Sequence, residues 1–186
     1  VALTSTKSST TFIQRPDLMT TDIPSIWIEA CAGTIKTKYL ICGFYREWNH
    51  RGDSSIQGQV ERAETLANQI EKARSECKRI IIVGDANLCS EAWNEEGYRY
   101  KRIADVIKTS LDTNGLIAQK LAKTYHANHA DKNGVYASSY LDHAYVSQEC
   151  TIQEVKCLSY SSSDHYPIVV GIEVENGKQQ KQKRII

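Results

Sequence analysis

The run RIIIVGDAN at positions 79–87 constrains the fold of this chain more than any other stretch. Its aliphatic residues are continuous rather than alternating, which is typical of a strand that is buried on both faces of a sheet. The run then stops at Gly84, Asp85 and Asn87, residue types that are also common in ordinary turns. A strand of this kind needs a packed layer on each side, so the run predicts a largely covered sheet.

The rest of the chain supplies elements for such a layered structure. The segments 25–30 and 37–45 are β-branched and aromatic, and the glycine-containing stretch between them predicts a β-hairpin. Apolar residues at helical spacing predict one helix within 56–78 and a second within 98–111. The fold class is therefore α/β or α+β. Further strands are predicted at 140–147, 151–160 and 166–174, after a mostly irregular stretch at 122–139.

The length of 186 residues fits one domain with a sizeable core. Residues 1–24 are rich in Thr, Ser and Asp, and they predict an irregular lead-in. Residues 25–175 form the predicted domain. Residues 176–186 have no apolar period and predict a polar, basic tail or linker.

Composition excludes several classes of protein. The net charge is +1, so any affinity for nucleic acid has to come from a local patch. No apolar run reaches the length of a membrane span, and the N-terminus lacks the order of a signal peptide. The six cysteines contain no CxxC pair, which is typical of reduced, buried thiols. We therefore expect an intracellular protein, nuclear or cytoplasmic, with no membrane partner.

Polar residues interrupt the pattern at three predicted strand ends. Asp85 and Asn87 close the first strand, Asp142 lies in YLDHAYVS, and Asp164 and His165 lie in SSSDHYPIVV just before the last strand. Carboxylates, an amide and an imidazole are the groups that phosphodiester hydrolysis requires, because a carboxylate deprotonates water and an imidazole stabilises charge on phosphate oxygens. A divalent cation normally completes such a site. Each motif alone is weak, but three of them in this order indicate an active site.

GDAN, LDHAYVS and SSDHYPI together resemble the endonuclease/exonuclease/phosphatase superfamily, and in particular the endonuclease domain of non-LTR (LINE-like) retrotransposons. GFYREW at 43–48 is similar to that family's tyrosine-containing turn. The resemblance covers roughly residues 25–175 and implies a DNase I-like β-sandwich flanked by helices. It also implies a Mg²⁺- or Mn²⁺-dependent enzyme whose partner is the DNA phosphate backbone. Such an enzyme nicks DNA by in-line attack of water, and the nick primes reverse transcription.

The resemblance also implies roles for individual residues. Asp85 orients and deprotonates the attacking water, and Asn87 beside it holds the phosphate or that water. His165 contacts the phosphate and is oriented by Asp142. Tyr45 forms a hydrogen bond with the scissile phosphate.

The predicted roles of three further residues are less specific. Thr124, in KTYH, matches a threonine that the family carries on a DNA-facing surface. Trp93 follows the Asp85 loop closely enough in sequence to contact substrate. Asp164 is the carboxylate that we expect near a metal ion.

The chain departs from the family pattern at its N-terminal side. The family opens with a strand bearing an active-site Asn and continues with a strand that ends in a metal-binding Glu. Here no Asn precedes Asn49, and the only Glu before Tyr45 is Glu29, which lies in the predicted hairpin. We therefore expect a domain that lacks its N-terminal strands, is poorly active alone, and either self-associates or binds the missing segment. In addition, YREW replaces the Tyr-x-Pro-Asn of many relatives.

Three functions stay open on the sequence. The first is a DNA endonuclease, the second is a catalytically inactive remnant that serves as a binding or structural module, and the third is a phosphatase or phosphodiesterase acting on a phospholipid or nucleotide. GDxN and SDH are shared across the superfamily and do not separate the first from the third. His126 and His129 have a metal-like interval, but no third ligand completes a zinc site. The RGD at 51–53 is expected to be a coincidence.

Overall fold

The computed structural model describes residues 10–159 and 162–174. The two helices within these residues are α1 (Ile56–Glu76) and α2 (Lys101–Thr113). In chain order, the strands are β1 (Thr11–Gln14), β2 (Ser25–Ala32), β3 (Thr37–Tyr45), β4 (Ile80–Asp85), β5 (Leu116–Ala118), β6 (Tyr125–His126), β7 (Ser138–Ser139), β8 (Asp142–Ser147), β9 (Thr151–Cys157) and β10 (Ile168–Glu173).

A six-stranded sheet, in the order β1-β2-β3-β4-β8-β5, forms the centre of the fold. The β3–β4 pair is parallel, and every other neighbouring pair in this sheet is antiparallel. The crossover from β3 to β4 is helix α1, as a parallel connection requires. Strands β9 and β10 form a separate antiparallel pair, and β6 and β7 form a small hairpin.

Strand β4 is covered on both faces, as its aliphatic run predicts. Ile80 and Ile82 belong to a core that includes Leu66 of α1 and Ile107 of α2. Ile81 points to the opposite face and belongs to a second cluster, against which residues of β10 pack. The fold is therefore three-layered, with helices on one face of the large sheet and the β9–β10 pair on the other.

Local sequence explains both helices. Ser55 caps α1 because its side-chain oxygen accepts a hydrogen bond from the Gly58 amide at 3.0 Å. The predicted segments 56–78 and 98–111 contain almost all of the two helices. Along the second, Ile103, Ile107 and Leu111 are buried on one stripe, as the periodicity predicts.

The expectation of an irregular lead-in over residues 1–24 is wrong for part of that stretch. Thr11–Gln14 forms β1, and its backbone groups pair with the edge of β2. Pro16–Leu18 follows as a 3₁₀ turn whose leucine is buried. The free backbone groups at the edge of a sheet can form hydrogen bonds with such a short segment. Periodicity within the segment gives no information about that edge.

Strand β5 is an element that the sequence analysis does not predict. It pairs with β8 and ends the large sheet. The predicted tail at 176–186 lies outside the described residues, and the limits of the domain at 25 and 175 stay predictions. In the part of the chain that the structure describes, no helix combines the length and apolar character of a membrane span.

Candidate active site

Three neighbouring strands present polar side chains at the same end of the large sheet. Tyr45 is the last residue of β3 and pairs in register with Asp85, the last residue of β4. Asp85 in turn pairs with Asp142, the first residue of β8. Register partners on adjacent strands place their side chains on the same face. Tyr45, Asp85 and Asp142 therefore form a row on the face that carries β9 and β10.

His165 joins this row from the segment that precedes β10. The backbone of this segment is tied to β6 on both sides of the histidine. His126 N–H donates to the Asp164 carbonyl at 2.8 Å, and Tyr166 N–H donates to the Thr124 carbonyl at 2.7 Å. The Tyr125 ring packs edge-to-face against the imidazole, with the ring centres 5.2 Å apart.

The imidazole of His165 lies between the two carboxylates. Its Nδ1 is 2.8 Å from Asp142 Oδ2, and because an ionised carboxylate only accepts, Nδ1 carries the shared proton. Its Nε2 faces Asp85 Oδ2 across 4.0 Å, which is too long for a direct hydrogen bond. A water or a phosphate oxygen fits between two polar atoms at this separation.

The pKa values of Asp85 and His165, which face each other in the site, are shifted in a way that suits proton transfer near neutral pH. Burial raises the pKa of Asp85 to about 6, and the charge of Asp142 adds to this rise, while the Asn87 amide and the charge of His165 oppose it. Burial alone lowers the pKa of His165, but its hydrogen bond to Asp142 and the nearby carboxylate charges outweigh burial and raise it. Perturbed pKa values of this kind are typical of catalytic acid–base groups.

Asn87 forms part of a tight turn after Asp85. Its backbone is left-handed, with φ of 49°, and its amide N–H donates to Asp85 Oδ1 at 2.7 Å. Its side-chain Nδ2 donates to the Arg46 carbonyl at 2.9 Å, so the carboxamide is partly engaged within the protein. The contact of Asn87 with phosphate or water stays a prediction.

Arg46 is a residue of the site that the sequence did not indicate. It follows Tyr45 directly and is fully buried, although an arginine next to a strand end is usually solvated. Its guanidinium binds carbonyls of the turn after Asp85. An arginine between polar residues carries no pattern that distinguishes a buried role from a surface role.

Thr124 does not lie on a DNA-facing surface as expected, because it is fully buried. Its Oγ1 accepts a hydrogen bond from the Asp142 amide at 2.9 Å, and its own amide donates to the Ser139 carbonyl at 3.0 Å. The threonine therefore fixes the backbone that carries a site carboxylate, and it is not available for contact with DNA.

Trp93 is also buried, with 6% of its surface exposed. Its ring packs edge-to-face on His143 at 5.0 Å and lines a cavity of about 310 Å³ that extends to Asp142. This burial argues against the expected direct contact with substrate. His143 itself is a core residue, since its Nε2 is 2.8 Å from the Leu88 carbonyl and burial lowers its pKa to about 4.

The group of side chains that could hold a metal ion differs from the expected ligand, Asp164. Among the described residues, Asp85, Asp142 and His165 form the group of three or more ligand side chains, with ligand atoms within 4.8 Å of one another. Asp164 is outside this group, and its carboxylate accepts a hydrogen bond from Ser163 at 3.0 Å. Glu29 on β2 does not belong to this group either, because its carboxylate forms ion pairs with Arg15 and Lys38.

Comparison with known families agrees with this geometry. A family model described as endonuclease-reverse transcriptase matches residues 39–169, which is well over half of the chain and contains every residue of the site. The chain belongs to this family. The resemblance read from GDAN, LDHAYVS and SSDHYPI is thereby confirmed, as is membership of the endonuclease/exonuclease/phosphatase superfamily. No curated protein sequence gives a significant match.

Solved structures share the fold of this family member at low sequence identity. The endonuclease domain of TRAS1, a telomere-specific non-LTR retrotransposon, is 19% identical with a TM-score of 0.65, over 92% of this chain and 72% of that one. AP endonuclease LMAP from Leishmania major is 10% identical with a TM-score of 0.59, over 78% and 53%. The mannosyl-6-phosphatase Bt3783 of Bacteroides thetaiotaomicron VPI-5482 is 18% identical with a TM-score of 0.53, over 81% and 57%.

These likenesses confirm the predicted DNase I-like fold. The chain spans 72% of the TRAS1 domain and little more than half of the other two structures. The fold alone does not decide the substrate.

Proposed function

We propose that this endonuclease-reverse transcriptase family domain is a metal-dependent phosphodiesterase that nicks DNA by in-line attack of water. The observation that carries the proposal is the placement of His165 between two carboxylates, 2.8 Å from Asp142 and 4.0 Å from Asp85. The presence of two endonucleases among the structural neighbours supports DNA as the substrate.

Asp85 is the proton acceptor in this proposal. A pKa of about 6 keeps it ionised at neutral pH yet basic enough to take a proton from the attacking water. The water oxygen bonds to phosphorus while the bond from phosphorus to the leaving sugar oxygen breaks. The leaving oxygen then takes up a proton from solvent.

His165 and Tyr45 act on the phosphate rather than on the water. A raised pKa keeps a larger share of His165 protonated, so its Nε2 donates to a phosphate oxygen as negative charge develops there. Asp142 fixes the ring through Nδ1 and balances its charge. Tyr45 is 42% exposed at the end of the row, where its hydroxyl can donate to the same phosphate.

The donor set fits a divalent cation. Two carboxylates whose oxygens lie within 4.8 Å of one another suit Mg²⁺ or Mn²⁺ together with water, and His165 is not a ligand here because both of its ring nitrogens donate hydrogen bonds in this proposal. When bound, the ion would be held mainly by Asp142 and water, which leaves Asp85 free to accept the proton, and it would neutralise negative charge on the scissile phosphate.

One observation favours the inactive-remnant alternative. Among the described residues, the ligand group has two carboxylates, and Asp142 already accepts a hydrogen bond from His165 at 2.8 Å. Glu29 does not supplement them, because its carboxylate forms ion pairs with Arg15 at 3.2 Å and Lys38 at 3.0 Å. A protonated His165 repels a cation that binds the same carboxylate, which weakens the metal site. In that case the domain binds DNA without cutting it.

A nicking assay on supercoiled plasmid separates these functions. The chain is incubated with Mg²⁺ or Mn²⁺, beside Asp85→Ala, His165→Ala and the matched surface control Asp105→Ala on α2. We expect nicked circles from the wild type and the surface control, and none from the two site variants. Absence of nicking together with retained plasmid binding supports the remnant. Release of phosphate from a sugar phosphate or a phosphoinositide, without nicking, supports the phosphatase.

A further inference from the structure

Arg46 makes an unusual number of contacts with the turn that follows β4. Its Nε donates to the Ala86 carbonyl at 2.5 Å and its Nη2 to the Asn87 carbonyl at 2.9 Å. Its backbone N–H donates to the Asp85 carbonyl at 2.9 Å, and its own carbonyl accepts from Asn87 Nδ2. One residue thus binds all three residues of the turn.

The guanidinium is held in place from its other side. Its Nη1 donates to Gln59 Oε1 on α1 at 3.0 Å, so Arg46 bridges the helix and the turn. None of these hydrogen-bond partners is a carboxylate, and the charge is compensated by carbonyl and amide dipoles together with the nearby charge of Asp85. Burial, with repulsion from Arg62, lowers the pKa of Arg46 to about 10, so it stays charged at neutral pH.

The turn needs such support. Asn87 has a left-handed backbone, which asparagine tolerates better than most residues but less well than glycine, so contacts that fix the turn help to hold this conformation. The direction of the Asp85 carboxylate depends on this turn, because the Asn87 amide binds its Oδ1 at 2.7 Å. Loss of the Arg46 contacts would free the turn and allow the carboxylate to rotate away from His165.

We propose that Arg46 is a positioning residue of the phosphodiesterase site, which clamps the turn from Asp85 to Asn87 so that the Asp85 carboxylate faces His165. This inference rests on the proposed function for its kinetic consequence, but its structural consequence is measurable without catalysis. Arg46 acts on the Asp85 carboxylate through the turn and through its charge, which partly offsets the rise that burial causes in the pKa of Asp85, and Arg46→Lys keeps the charge while it removes the guanidinium contacts with the turn.

Arg62 provides a matched control within the same protein. It is also buried, and its guanidinium donates to the carbonyls of Glu47, Trp48 and Asp53 at 3.0–3.3 Å. These contacts hold the loop after β3 and do not reach the turn after β4. Arg46→Lys and Arg62→Lys therefore make the same chemical change at two buried carbonyl clusters, of which one supports Asp85.

The experiment compares both variants with the wild type in three measurements: the melting temperature, amide hydrogen exchange of Asn87, and kcat and KM for plasmid nicking. For Arg46→Lys we expect Asn87 exchange to be about 10-fold faster, as for the loss of a hydrogen bond. We also expect kcat to fall about 100-fold while KM changes less than about 3-fold, as for a misplaced catalytic group. For Arg62→Lys we expect a similar loss in melting temperature with unchanged Asn87 exchange and a far smaller loss in kcat.

The inference is overturned if the two variants lose kcat in proportion to stability, or if Asn87 exchange in Arg46→Lys matches the wild type. If the wild type nicks no substrate, the proposed function fails. The exchange data alone then test whether Arg46 holds the turn from Asp85 to Asn87. Should Arg46→Lys fail to fold, Gln59→Met replaces it, since it removes the acceptor on the far side of the guanidinium. That variant is expected to speed Asn87 exchange about 3-fold, and no change would overturn the clamp.

Discussion

Asp85→Asn should stabilise the protein at alkaline pH while it abolishes nicking. Asp85 lies in a half-buried position where its charge is poorly solvated, and burial is the main reason that its pKa is raised. The substitution removes the charge but keeps an oxygen that accepts the Asn87 amide, a hydrogen bond of 2.7 Å in the native turn. It therefore deletes an unfavourable charge without leaving a buried donor unpaired.

The size and the pH dependence follow from the pKa. A rise from 3.8 to about 6 corresponds to about 3 kcal/mol. The folded state binds the proton more tightly than the unfolded state, so the free energy of unfolding falls as pH rises from about 4 to about 6 and stays lower above that range. The value of about 6 already includes the opposing charge of His165, so we expect Asp85→Asn to gain about 1–3 kcal/mol near pH 8 and almost nothing near pH 4.

Urea unfolding of the wild type and the variant at both pH values measures this gain. Asp105→Asn, on the exposed face of α2, is the control and should shift stability by less than about 0.5 kcal/mol at either pH. The reasoning is refuted if Asp85→Asn is no more stable than the wild type near pH 8. It is also refuted if the gain is the same at both pH values.

Three further predictions concern the site and the core. The nicking rate should be bell-shaped in pH: it falls below about 6 as Asp85 is protonated, and it falls at high pH as His165 loses its proton above its raised pKa; a rate independent of pH between 5 and 9 contradicts these roles. Thr124→Val should cost about 1–3 kcal/mol in urea unfolding and reduce nicking, because the Asp142 amide loses its acceptor, whereas Thr124→Ser should retain both properties; equal behaviour of the two variants argues against the hydrogen bond. Gln69→Leu should cost about 2–4 kcal/mol without a change in the pH optimum, since its Oε1 accepts from two buried donors at 2.9 and 3.0 Å; near-native stability in urea would show that these donors find other partners.

Local patterns predicted most of the fold. The β2–β3 hairpin, both main helices and the doubly covered strand β4 each follow from periodicity within one segment. The edge strands β1 and β5 are short, and they exist because β2 and β8 offer free ladder positions. Sequence periodicity contains no information about such free edges, so these two strands were missed.

The residues of the candidate site likewise include some that local sequence predicts and some that it does not. Asp85, Asp142 and His165 interrupt regular strand patterns, and their gathering at one place was predicted from that interruption. The sequence wrongly predicts a surface position for Thr124 and predicts no role for Arg46, because both residue types usually lie at the surface, whereas here both are buried. Their burial depends on tertiary hydrogen bonds between segments far apart in the chain, which no local pattern encodes.

Gly84 connects the strand pairing to the chemistry of the site. A Cβ at this position would lie 2.0 Å from the Phe44 carbonyl oxygen, so glycine allows β3 and β4 to approach where their last residues become register partners. Gly84 also pairs with His143, and the next pair along is Asp85 with Asp142. Alternation along β8 therefore sends the imidazole of His143 into the helix-side core and the carboxylate of Asp142 to the opposite face. A slip of one residue would exchange them, and His165 would lose the carboxylate that orients it, so the reactivity of this site depends on strand register as much as on residue identity.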